Sequence, residues 1–182
     1  MLPSFDRRPG PPSVWLASHT WLLQPGMTVL DVASGAGRHA LAAARLGCVV
    51  TAIDRDREAL DIGRATAEEE GLDLRFVEAD LEQPWPDLGT FDAILCFNYL
   101  DRARFPELVR RLAPRGVLVL ETFLSSQRSL GWGPTRSEHL IEPGELAALV
   151  SPLRLLHGRE VLEPLGGDRW RWVGSAVAQR VA

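Results

Sequence analysis

Apolar and polar positions along this chain switch between two periods. Short, largely apolar runs occupy residues 27–33, 48–53, 91–97 and 116–122, and a short stretch with apolar Leu74, Phe76 and Val77 occupies 73–77. Their length and flanking turn residues predict strands. Between them, apolar residues recur three and four apart, as in Phe105, Leu108, Val109 and Leu112. This spacing predicts helices over 37–46, from Asp56 to Glu70 and over 104–113. Gly47 and Gly71 stand where a helix end favours a left-handed residue, and Pro114 bars the third helix from continuing. Ahead of the first strand, Ser13 is placed to cap a helix over 14–23 that carries Val14, Trp15, Trp21 and Leu22. Pro25-Gly26 ends it.

Alternating strands and helices predict a doubly wound parallel sheet with right-handed crossovers. The near-continuous apolar run at 48–53 suits a strand covered on both faces. The alternation stops at residues 124–140, a long stretch with Gly131-Trp132-Gly133-Pro134 and little periodicity. Loops of that length are usually functional or disordered. A helix from Pro143 to about Val150 follows. Two strand-like runs, 153–162 and 169–180, then meet at Gly166-Gly167-Asp168 as an antiparallel hairpin, with Trp170 and Trp172 packing on one face. The expected fold is α/β, Rossmann-like, with a mostly parallel seven-stranded sheet and a C-terminal antiparallel hairpin. Residues 1–24 read as an N-terminal tail and helix, and 25–182 as a single domain.

Composition narrows the function. Hydrophobic residues make up 46% of the 182, which suits a packed globular chain. All 20 basic residues are Arg, so Schiff-base chemistry and a phosphate-loop lysine are excluded. Against 24 acids they leave a net charge of −4 and no basic stripe, which argues against nucleic acid as a partner. No apolar run reaches membrane-spanning length and no signal core opens the chain, so no membrane partner and a cytoplasmic location are expected. Cys48 and Cys96 read as reduced, buried thiols, and no Cys/His spacing suggests a metal.

The stretch from Val29 to Ala40 carries the chemistry. A strand ends on Asp31, then Gly35 and Gly37 let a ligand approach the backbone, and a helix begins. The acid favours a ligand with donors or positive charge over a pyrophosphate. The spacing also fits the relaxed dinucleotide fingerprint, or a glycine turn with no ligand. Ligands of such sheets sit beyond the strand ends, which offer Asp31 and Ser34-Gly35-Ala36-Gly37, then Asp54, Asp80, Asn98 with Tyr99, and Glu121. These are expected to converge on one rim. Each has a plainer reading: Asp54 as a helix cap, Asp80 as a solvated acid, Glu121 as an arginine's ion-pair partner. His39, in the first turn of a helix, reads as packed or solvated.

The chain resembles the class I S-adenosylmethionine (SAM) dependent methyltransferases, whose first motif is Asp-x-x-x-Gly-x-Gly. Within them it is similar to the small tellurite-resistance-type methyltransferases. The resemblance rests on 29–40, Ala52-Ile53-Asp54-Arg55-Asp56, Phe97-Asn98-Tyr99-Leu100-Asp101-Arg102, Leu112-Ala113-Pro114-Arg115-Gly116, Glu121-Thr122-Phe123, and His139-Leu140-Ile141-Glu142-Pro143-Gly144-Glu145-Leu146. It implies that Asp31 and the Ser34–Gly37 loop hold the methionine part of SAM. By the same token Asp54, beside Arg55, takes the ribose hydroxyls, Asp80 and Leu81 border the adenine, and Phe97, Asn98 and Tyr99 border the reactive methyl. Pro-Arg-Gly at 114–116 replaces a more usual Pro-Gly-Gly and is expected to alter a turn only.

The implied reaction moves a methyl group from SAM to a small-molecule acceptor and leaves S-adenosylhomocysteine (SAH). A soft anion or thiolate needs no base, whereas an O–H or N–H acceptor needs one nearby. His139, Asp101 and Glu121 are the candidates. Residues 124–140 are read as a lid, with Trp132 as an apolar plug and Arg128 and Arg136 facing an anionic substrate. Trp15 and Leu16 are read as packing over the cofactor. Tellurite-type oxyanions, thiols, halides and small metabolites remain open as acceptors, in a monomer or homodimer. The rival readings are an NAD(P)-dependent oxidoreductase and a catalytically silent SAM-binding protein.

Overall fold

A computed structural model describes residues 8–181, which form two compact units divided between Asp87 and Leu88. The tail expected at the N-terminus lies, for residues 1–7, outside the described residues.

The first unit contains α1 (Val14–Ala17), β1 (Thr28–Val32), α2 (Arg38–Arg45), β2 (Val49–Asp54), α3 (Arg57–Glu70) and β3 (Leu74–Glu78). The three strands are parallel, with Val32 level with Ile53 and Ile53 level with Val77. Their C-terminal ends therefore share one edge. Val29, Leu30, Val32, Val50, Ala52 and Ile53 are buried, as near-continuous apolar strands require. Asp56 caps α3 by accepting the Ala59 N–H at 3.0 Å, and Gly71 ends it at φ +67°. Ser13 caps α1 as expected, accepting the Leu16 N–H at 3.1 Å.

The helix expected over 14–23 is not continuous. α1 has one turn, and a 3-10 turn follows at Thr20–Leu22. The cause is local: His19 Nδ1 takes the Trp15 carbonyl at 2.7 Å, and the His19 N–H bonds Leu16 O at 2.9 Å. The chain tightens to three-residue spacing where side chains compete for helix acceptors.

The second unit contains β4 (Phe91–Phe97), α4 (Phe105–Arg111), β5 (Leu112–Phe123), α5 (Leu146–Leu149), β6 (Arg154–Gly166) and β7 (Arg169–Gln179). β4 and β5 are parallel, while β7 runs antiparallel to both β5 and β6. The hairpin turn has Gly166 at φ +108° and Gly167 at φ +57°. The strand order is β3-β2-β1-β4-β5-β7-β6 in a seven-stranded mixed sheet. Among the described residues no helix is long and apolar enough to cross a membrane.

Two helices are shorter than the periodicity suggests. α4 stops at Arg111, and Leu112, already extended at ψ 132° two residues ahead of Pro114, opens β5. Pro143-Gly144 form a turn, with Gly144 at φ +85°, so α5 begins only at Leu146.

Candidate functional site

In the first unit the glycine loop leaves β1 and enters α2. Ala33, Gly35 and Gly37 all have positive φ, and Gly37 is the N-cap of α2. A Cβ on Gly35 would meet nothing within 4 Å, so the loop has an open side. The Gly35 N–H donates to Asp54 Oδ2 at 2.7 Å, and the Asp56 N–H donates to Asp54 Oδ1 at 2.9 Å. The end of β2 thus fastens the loop that follows β1. Each Asp54 oxygen keeps a free acceptor position for a ligand hydroxyl.

Asp31 lies beneath this loop, 1% exposed, and accepts the Ala40 N–H at 2.9 Å. Burial pushes its carboxyl up to about 7, and the charge of Asp54 adds to the rise. The Ala40 N–H and the charge of Arg38 oppose it. Asp80 is exposed and folds back to accept the Glu82 N–H at 3.0 Å, while Leu81 is buried. Trp85 Nε1 donates to Leu81 O at 2.9 Å and fixes this turn. Arg55, exposed, pairs with Glu82 at 3.5 Å. The edge shared by β1, β2 and β3 therefore carries Asp31, Asp54 and Asp80 near their ends.

His39 is buried, and its Nε2 accepts the Ser13 N–H at 3.2 Å. The packed reading holds: His39 ties α2 to the cap of α1. Trp15 and Leu16 are likewise buried.

In the second unit β4 ends on buried Phe97 and exposed Asn98, which has φ +57° and donates its N–H to Glu121 O at 2.8 Å. Tyr99 is half-buried. Asp101 is spent on a turn, accepting the N–H groups of Ala103 and Arg104 at 2.9 and 3.2 Å. Arg102 binds both carboxylate oxygens of Glu145, at 2.7 and 2.9 Å, and the carbonyls of Glu138 and Leu140, at 3.2 and 2.8 Å. One guanidinium therefore joins the Asn98–Arg102 motif to the His139–Glu145 motif.

Glu121 takes its ion-pair reading. It is fully buried, bonded to Arg171 at 2.8 Å, to the Ser175 hydroxyl at 2.9 Å and to Arg159 at 3.3 Å. Arg159 continues to Glu163 at 2.7 Å, which completes a cluster of two acids and two bases. The registers Glu121↔Ser175↔Arg159 and Arg171↔Glu163 stack it on one face of the hairpin.

Residues 124–140 are pinned rather than loose. Gln127, buried, accepts the Trp172 N–H at 2.8 Å and donates to Trp132 O at 3.0 Å. Leu124 bridges Ile141, and Trp132 Nε1 donates to Trp170 O at 3.1 Å with its ring edge-on to Phe123. Exposed Arg128 bonds Thr135 O at 2.9 Å, exposed Arg136 pairs with Glu138 at 3.1 Å, and His139 is exposed. The motif reading includes Arg102 but gives it no role, and it passes over Gly63 and Gly174. A glycine inside a helix or strand is the available signal, since each costs stability unless something packs against it. A Cβ on Gly174 would collide with Ile141 Cδ1.

Residues 29–116 match a family model described as a methyltransferase domain. The ubiquinone biosynthesis O-methyltransferase of Methylocella silvestris is 32% identical, over 80% of this chain and 65% of that protein. The chain thus spans less than two thirds of that relative's length. TehB from Haemophilus influenzae shares the fold with a TM-score of 0.75 at 17% identity, covering 91% of this chain and 61% of that one. A methyltransferase from Methanosarcina mazei gives 0.72 at 20% identity, covering 90% and 97%.

Proposed function

We propose, from the premise that the chain belongs to the class I SAM-dependent methyltransferases, that it moves a methyl group from SAM to a small-molecule acceptor in the cytoplasm. The observation that carries the reading is the Asp54–Gly35 bond, a strand-end carboxylate fastened to a glycine loop with an open side. Asp31, Asp54 and Asp80 suit a ligand with an ammonium, a sulfonium and hydroxyl donors. They oppose the pyrophosphate of a nicotinamide dinucleotide.

Bound SAM supplies a methyl group already activated by its sulfonium. The chain's part is to hold and orient. In this reading Asp31 and the backbone of Ser34, Gly35, Ala36 and Gly37 receive the methionine part. Asp54 accepts the ribose hydroxyls with Arg55 beside it, and Asp80 with Leu81 borders the adenine. Phe97, Asn98 and Tyr99 serve the methyl, and Arg128, Trp132 and Arg136 serve the acceptor. The acceptor's lone pair forms the new bond to carbon as the methyl–sulfur bond breaks. Sulfur keeps the bonding pair, and SAH leaves neutral at sulfur. Alignment of this kind supplies about 7–11 kcal/mol. An oxyanion or thiolate needs nothing more, whereas a hydroxyl acceptor passes its proton to His139. The Methylocella silvestris relative is an O-methyltransferase, which puts hydroxyl acceptors beside tellurite-type oxyanions and thiols in the first screen.

Thermal unfolding with SAM, SAH and NAD in parallel tests the reading. A ligand at 100 times its dissociation constant stabilises by about 2.7 kcal/mol, which is about 5–10 °C for a chain of this size. Shifts with SAM and SAH alone are expected. A shift with NAD alone overturns the proposal, as does no shift with any. Methylation of an acceptor then separates an enzyme from a silent SAM binder.

A further inference from the structure

Gly63 stands in the middle of α3 and is buried. A Cβ there would come within 2.7 Å of the Ala36 carbonyl oxygen and 2.8 Å of Phe76 Cε1. Ala36 is the middle residue of the glycine loop. The same Phe76 atom lies 3.3 Å from where a Cβ of Gly37 would stand. Phe76 is itself held in place, opposite Ala52 in the sheet and with the Arg64 guanidinium 5.5 Å from its ring centre. The loop therefore rests on the bare backbone of α3 and on one aromatic ring, while its Gly35 side is open.

We infer that Gly63 is a positioning residue for the cofactor: by lacking a side chain it sets how deep the 35–37 loop sits. It rests on the reading of that loop as the SAM site. A methyl group at position 63 needs about 3.4 Å where 2.7 Å is available, so the Ala36 carbonyl or α3 must give way by roughly 0.7 Å. The carbonyl is backbone and cannot swing aside. The Gly35 N–H is held at 2.7 Å from Asp54, so a displaced loop also disturbs the carboxylate proposed to take the ribose. Gly63 makes no contact with substrate in this argument and acts through Ala36 and Phe76.

The test is Gly63→Ala in the full chain, read by SAH calorimetry and by the amide NMR signals of Gly35 and Gly37 recorded without ligand. Ala65→Gly, at an exposed position of the same helix, is the control. SAH binding at least about tenfold weaker is expected in Gly63→Ala, with displaced Gly35 and Gly37 signals. Ala65→Gly weakens the same helix and should change neither. Wild-type affinity and unmoved signals in Gly63→Ala overturn the inference, as does equal weakening by Ala65→Gly. Should Gly63→Ala fail to fold, Phe76→Leu takes its place with the same two readouts, and no change in either overturns it. If the wild-type chain binds no SAH, the proposed function fails, but the ligand-free amide signals still decide whether Gly63 sets the loop.

Discussion

Replacing Asp31 by Asn should flatten the pH dependence of both stability and cofactor binding. Asp31 is 1% exposed, and its carboxyl is pushed up to about 7 from 3.8, chiefly by burial. Between those two values the folded chain holds a proton that the unfolded chain has released. Stability from this group is therefore fully present below about pH 4 and is lost as pH rises through 7. The whole loss is at most about 4 kcal/mol. Asn has nearly the same shape, keeps an oxygen for the Ala40 N–H and never ionises. At pH 8 the Asn variant should be the more stable by up to about 4 kcal/mol, and at pH 4 the two should nearly match. Urea unfolding across pH 4–8 measures this directly.

Ligand binding runs the other way. A cationic methionine group beside Asp31 favours the ionised carboxylate, so binding at pH 6 should release up to about one proton, and affinity should rise by up to about tenfold per pH unit towards 7. Calorimetry at pH 6 in two buffers of different ionisation enthalpy counts that proton. The Asn variant should bind SAM more weakly and release no proton from this site. Equal heats in both buffers for the wild-type chain would refute the proposed contact. An Asn variant less stable than wild type at pH 8 would refute the burial argument.

Asp54→Ala removes the acceptors for Gly35 and Asp56 N–H groups and should cost about 1–3 kcal/mol by urea unfolding. SAH affinity should fall about a hundredfold or more, and a loss under threefold would show that the ribose lies elsewhere. Glu121→Ala leaves buried Arg171 without its central partner, and a loss of about 3–5 kcal/mol is expected in the same assay. Arg115 has φ +65°, so Arg115→Gly should stabilise by about 1 kcal/mol, seen as a melting point higher by about 2–4 °C. Its SAH affinity should stay at the wild-type value.

The fold was legible because strands and helices announce themselves by period and punctuation. α3 runs from its Asp56 cap to the left-handed Gly71 as read, and β4 spans Phe91–Phe97 as read. The Pro-Arg-Gly step was expected to alter a turn; the arginine instead lies within β5, next to a shift in the β4–β5 register, in a left-handed position that glycine would fill without strain. Helix ends were less legible: α4 and α5 are cut short near a proline and a Pro-Gly turn, and the first helix is interrupted where a side chain competes with the backbone for a hydrogen bond. The Trp15 carbonyl captured by His19 broke the first helix, and no apolar period records such a contact.

The candidate cofactor loop of the first unit and the candidate acceptor motifs of the second differ in legibility for a physical reason. A cofactor loop is built from backbone conformation and from acids at strand ends, so glycines and aspartates at fixed spacing reveal it within a few residues. What sets the loop's depth is an absence, the missing side chain of Gly63, and it becomes meaningful only when α3 is laid beside Ala36. The motifs thought to serve the acceptor depend on contacts spanning much longer stretches of sequence. Arg102 reaches Glu145, Gln127 holds Trp172, and Glu121 is answered by Arg159 and Arg171. Of these residues the sequence offers Glu121 alone as a candidate base, beside its plainer reading as an arginine's ion-pair partner. Glu121 is fully buried in its ion-pair cluster, and Asp101 accepts two backbone N–H groups of its own turn. His139 is exposed on its turn, 3.8 Å from Glu138, and is the base proposed above for a hydroxyl acceptor. Acceptor screening on the His139→Ala variant should therefore separate acceptors that arrive as anions, whose turnover persists, from hydroxyl acceptors, whose turnover falls by about 10²–10⁴-fold.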